Sequence, residues 1–134
     1  MVKLTISTSK RDDWVDITHS VTDTIQSNRW QNGLLTVFVP HTTAGVTINE
    51  NADPDVTKDL ISTLDRLIPW DGPYRHREGN SAAHLKATLV GASATLLVEK
   101  GQMMRGTWQG IYLCEFDGPR KREVWISFVP DSEK

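Results

Sequence analysis

Cys114 is the only cysteine in the chain. A lone cysteine excludes an internal disulfide and suits a reducing cytoplasm, which is the expected location. No apolar run approaches the ~18 residues that a membrane span needs, so no membrane association is expected. The opening MVKLTISTSK lacks the apolar stretch of a signal peptide. A surplus of either charge is missing as well. A net charge of −2 and a pI near 6.0 leave no electrostatic footprint for nucleic acid. The longest basic cluster, PRKR at 119–122, runs directly into Glu123 and reads as a solvated strand entry. Internal repeats, linkers and low-complexity segments are absent. So are the glycine-rich phosphate loop, the dinucleotide fingerprint, the nucleophile elbow, the HExxH helix and paired cysteines. Phosphate loops, activated serines and thiolate zinc sites therefore have no support.

What is present is an ordinary globular balance in 134 residues, 38% apolar and 24% charged, enough for one domain over 1–134 with a real core. KLTISTS alternates as a half-buried strand. Val21 and Ile25, four apart, indicate a short helix within 18–29. LLTVFVP (34–40) and GVTIN (45–49) read as strands, and the short HTTA between them predicts that they adjoin. Asp53-Pro54 opens the clearest helix, because Asp is a favoured N-cap and Pro a favoured first residue. Val56, Leu60, Ile61, Leu64 and Leu67 give it an apolar stripe, and Pro69 ends it. Asn80 or Ser81 can cap a second helix, AAHLKATLV, closed by Gly91. SATLLVEKG, WQGIYLCEFDGP and REVWISFV then read as strands. The pattern predicts an α+β protein, mostly an antiparallel sheet with two or three helices on one side.

The chemistry-bearing residues are histidines and carboxylates. Alternation through LLTVFVPH places His41 at the end of a buried strand face, where it is either a satisfied core group or a ligand. His76 lies in a turn-rich loop. His84 sits in the first turn of its helix, where the dipole disfavours a cationic ring, and a neutral imidazole is what a metal needs. Three neutral histidines from different elements make the open site of a catalytic zinc, or none at all. Asp53 is explained as a cap and Asp55 as a first-turn acid. Glu50 has no such duty. Glu115 shares a face with Ile111 and Leu113, where a carboxylate needs either an ion-pair partner, Arg120 or Arg122, or a functional role. Cys114, on the opposite face, reads as a small core residue.

PHTTAGVTINENADPDV, the H..GN…HLKA stretch and GTWQGIYLCEFDGPRKREV together resemble the YjbQ-like family, over almost the whole chain from about Lys3 to Val129. The resemblance implies a compact α+β, β-sandwich-like protein, a homotrimer with sites at or near subunit boundaries, and a secondary thiamine-phosphate synthase activity. That transferase joins a pyrimidine diphosphate to a thiazole phosphate and releases pyrophosphate. The polar residues the resemblance gathers into a site are His41, His76 and His84 as metal ligands, Glu50, Glu115 and Asp53 as catalytic groups, and Asp55 beside them. It assigns Thr42, Thr43, Asn49, Asn80, Lys86 and Gln109 to the substrate. Three histidines fit zinc better than magnesium as the divalent metal. The expected partner is a small phosphorylated or heterocyclic substrate, not nucleic acid.

Overall fold

Apolar alternation closes into two antiparallel sheets rather than one. The computed structural model describes residues 1–132. In chain order the elements are β1 (Val2–Ser7), β2 (Asp13–Asp16), α1 (Thr18–Ser27), β3 (Gly33–Phe38), β4 (Ala44–Glu50), α2 (Pro54–Leu67), α3 (Ser81–Val90), β5 (Ser93–Glu99), β6 (Gln102–Met104), β7 (Gln109–Glu115) and β8 (Lys121–Pro130). A five-stranded sheet runs β1-β8-β3-β5-β6, and a three-stranded sheet runs β2-β7-β4. The α+β class holds, as does the antiparallel, sandwich-like arrangement with three helices; only the one sheet read from the strand pattern is two.

The strands expected to adjoin, β3 and β4, lie in different sheets. Both edges of β3 are taken, one by β5 and one by β8. β4 pairs instead with β7, Ala44 opposite Glu115 and Glu50 opposite Gln109. The short segment after β3 is thus a crossover, and it carries His41, Thr42 and Thr43 from one sheet to the other. β2 and β6 escaped the sequence reading because four and three residues are too few for alternation to register.

The inner faces of the two sheets and α1 share one core, with Leu35, Val37, Ile111, Leu113 and Ile126 almost fully buried. Each such side chain contributes roughly 1.5–3 kcal/mol by leaving water. β7 is buried on both faces. Its Tyr112 and Cys114, with Phe116 just beyond, form a second cluster beneath α3, where Ala83 and Ala87 let the helix approach closely. Gly45 serves the same approach: a Cβ there would stand 2.6 Å from the Gly91 carbonyl oxygen, which accepts from the Val46 amide.

Asp53 caps α2 as expected, its Oδ1 accepting from the Asp55 amide at 2.9 Å. The α2 stripe is less buried than its spacing predicts. No α2 residue is fully covered, and Leu67 is exposed, because the helix meets the second cluster from one side only, through Leu64. Among the described residues no helix is long and apolar enough to cross a membrane.

Candidate functional site

The crossover after β3, the loop between α2 and α3, and the start of α3 enclose an open pocket of about 710 Å³. His41, His76 and His84 all line it, together with Asn80, Arg120 and Arg122. The rings of His76 and His84 meet edge to face, their centroids 5.4 Å apart. The Nε2 of His41 accepts from the Glu123 amide at 2.9 Å, which pins the ring to β8. Burial, and after it the nearby Arg122 guanidinium, lowers the pKa of His41, so its ring is neutral at pH 7. Among the described residues no three His, Cys, Asp or Glu side chains are arranged as a ligand set. The three histidines share a pocket, but the His41 lone pair at Nε2 is engaged elsewhere.

Beneath the pocket lies a buried clamp. Glu115 on β7 and Arg122 on β8 pair across the two sheets, with side chains 0% and 4% exposed. Glu115 Oε1 accepts from Arg122 Nε and from Thr8 Oγ1, both at 2.9 Å. Its Oε2 accepts from Arg122 Nη2 and from the amides of Phe116 and Asp117. Burial would raise the pKa of Glu115. The bonds from Arg122, the Asp117 amide and Thr8 outweigh burial and hold it below the usual carboxylate value. Arg122 Nη2 also donates to Thr43, at 2.7 Å to Oγ1 and 3.2 Å to the carbonyl, fixing the crossover. Glu115 is therefore an ion-pair residue and not a free base: its oxygens are fully engaged and it does not line the pocket.

Other expected site residues fall elsewhere. Lys86 is two positions from His84, about 200° around the helix, so it points away from the pocket. Its Nζ donates to Asp12 at 2.7 Å and to Asp65 at 2.9 Å, with none of the side chain exposed. A substrate phosphate would have to displace a carboxylate to reach it. Asn49, Glu50, Asp53 and Gln109 stand at the far end of β4 and β7, roughly 20 Å along the strand from Ala44. Each has a local task there. Asn49 Oδ1 accepts from the Glu50 amide, Glu50 from the Asp53 amide at 3.3 Å, and Gln109 Oε1 from the Gly106 amide. Thr42 and Thr43 do border the pocket, as does Asn80.

Sequence reading did not place Arg122, Arg120, Asp117, Glu78 or Trp70 in the pocket. For Arg122 a signal existed. Stepping back by twos from Ile126 and Val124, both buried, reaches Arg122 on the same inward face of β8, so PRKR is not wholly a solvated run.

These features define an α+β sandwich with a histidine- and arginine-lined pocket at one end of its two sheets. Residues 2–131 match the family model described as UPF0047 protein YjbQ-like. The chain belongs to that family. It is 51% identical over 127 residues to the UPF0047 protein YugU of Bacillus subtilis, covering 94% of this chain and 96% of that one. It is 47% identical over 131 residues to a UPF0047 protein of Methanocaldococcus jannaschii, covering 98% and 95%. The crystal structure of a YjbQ/UPF0047 family protein from Clostridium acetobutylicum superposes with a TM-score of 0.94 at 48% identity, covering 96% of this chain and 100% of that one.

Proposed function

We propose that this chain is a metal-dependent enzyme that works on a small phosphorylated or heterocyclic substrate in the histidine pocket, with weak thiamine-phosphate synthase activity as a secondary reaction. The observation that carries this reading is the convergence of three histidines and two arginines on one open pocket. His76 and His84 would hold the ion, and His41 would complete the set once its Nε2 leaves the Glu123 amide. Zinc suits imidazole donors better than magnesium does. When bound, the ion would neutralise charge on the departing pyrophosphate. Arg120, half-exposed at the rim and anchored through Asp117, offers a guanidinium to the same oxygens. Neutral His41 keeps positive charge on the arginines rather than adding its own.

Metal analysis of the purified protein after zinc loading tests this. About one equivalent per chain is expected, falling below about a tenth in His76→Ala and His84→Ala, together with pyrophosphate release from the paired substrates by the wild type. Wild-type protein that takes up no zinc and releases no pyrophosphate would sink the proposal. A second reading, a non-catalytic ligand- or metal-binding protein, draws on the distance of Glu50 from the pocket. Stoichiometric metal without turnover would favour it.

A homotrimer belongs with either reading. Leu34, Leu97, Met104 and Val129 lie exposed on the outer face of the five-stranded sheet, where Leu34 pairs with both Leu97 and Val129. Such a face favours burial against other copies. Glu50 would reach a histidine pocket only if that pocket belonged to a neighbouring subunit. Light scattering should give three times the 15.1 kDa chain mass at micromolar concentration. A monomer there would remove any role for Glu50 in the site.

A further inference from the structure

Asn80 holds the N-cap position of α3, where an Asn side chain normally accepts from the first-turn amides. Here it makes no such bond. Its Nδ2 donates instead to Asp117 Oδ2 at 2.9 Å. That oxygen also accepts from Arg120 Nη2 at 3.2 Å, so it is an acceptor and fixes which way the amide faces. Turning the amide over would set two oxygens against each other. The Oδ1 of Asn80 is consequently directed away from Asp117. It is buried and has no hydrogen-bond partner among the described residues. An acceptor left so costs free energy and calls for a donor from outside the chain.

Arg122 shows the complementary gap. Nε and Nη2 are committed to Glu115 and Thr43, whereas Nη1 has no partner among the described residues. The side chain is only 4% exposed, yet it forms part of the pocket wall, and its charge is felt at His41. The first turn of α3 carries no acidic residue to compete for an anion. Asn80 and Arg122 both belong to the pocket wall, and each carries a polar atom without a partner among the described residues, held by a network of its own.

We infer that Asn80 is a specificity residue for a ligand that sets an anionic oxygen at Arg122 and an N–H or O–H donor at Asn80 Oδ1, a phosphorylated compound bearing an amine or hydroxyl group. The inference rests on the proposed reading of this pocket as the substrate site. It narrows the substrate class: an anion without a donor leaves Oδ1 unsatisfied, and a neutral donor leaves Arg122 unsatisfied.

Matched probes test it on the zinc-loaded full chain by calorimetric titration at pH 8. 3-Aminophenyl phosphate and 3-methylphenyl phosphate have similar size and the same charge, and differ in one neutral donor. Wild type should bind the amino probe about tenfold more tightly, the scale of one hydrogen bond to a buried acceptor. Asn80→Ala should erase that preference and leave the methyl probe within about twofold; Asn80→Ser, which keeps a shorter acceptor, should retain part of it. 3-Aminophenol, without the phosphate, should bind at least about tenfold more weakly than its phosphate ester. Equal wild-type affinity for the two esters, or a preference that survives in Asn80→Ala, overturns the role of Asn80. Equal binding of 3-aminophenol overturns the anionic half. If neither ester binds the wild type, the reading of the pocket as a phosphate-ligand site fails first, and this inference with it.

Discussion

Glu115→Gln should lower the melting temperature by on the order of 10 °C. The substitution preserves shape but removes the negative charge that faces Arg122, a guanidinium 4% exposed. Removing one partner of a buried ion pair costs about 3–5 kcal/mol, because the other charge remains in the interior. In a domain of this size each kcal/mol moves the midpoint by about 3–4 °C. The loss should be pH-dependent in the wild type. Because the folded carboxyl titrates below its unfolded value, the pair's contribution is fully present above the unfolded pKa of about 4.3 and disappears as pH falls through the lower folded value. Glu115→Gln should therefore have a shallower acid-unfolding profile below about pH 4. Thermal melts at pH 7 and pH 3.5 check both parts. A variant that melts like the wild type but loses turnover would restore Glu115 as a catalytic group.

Much of this site was legible in the residues, and the division has a physical cause. Helix boundaries came from capping chemistry, which is local: Asp53-Pro54 opens α2 and Gly91 follows the last residue of α3. Strand pairing is not local. HTTA is short enough for a hairpin, and only competition for the edges of β3 decides that it crosses between sheets. The same limit explains the polar residues. His41, His76, His84 and Asn80 do meet at one pocket. Glu50 and Asp53 are near His41 in sequence, but an intervening seven-residue strand carries them to the opposite end. Glu115 looked functional because it shares a strand face with Ile111 and Leu113, and the pattern could not show whether Arg120 or Arg122 answered it. The inward alternation of β8 selects Arg122.

Lys86 provides the sharpest separation between a ligand group and a structural one. Its Nζ lies between Asp12, which precedes β2, and Asp65 on α2, so it ties three segments of the chain together. Arg11 touches the same two carboxylates and stacks over Trp70 at the base of the loop that bears His76. Lys86→Ala removes the central cation and leaves a void against Phe116, so a loss of about 3–4 kcal/mol is expected. Lys86→Met refills most of the volume and should lose roughly half as much, because Arg11 still neutralises part of the charge. The hydrogen bond from Lys86 is the main cause of the lowered pKa of Asp65. That carboxylate stabilises the fold above its unfolded pKa near 4 and ceases to do so as pH falls through its lower folded value, a dependence that should weaken in Lys86→Met. Denaturant melts measure the stability of both variants, and titration of folded Lys86→Met with 3-methylphenyl phosphate measures the pocket. Stability should fall while affinity stays within about twofold. Unchanged stability with binding lost would make the lysine a phosphate ligand, and its burial between Asp12 and Asp65 would then have to open for substrate.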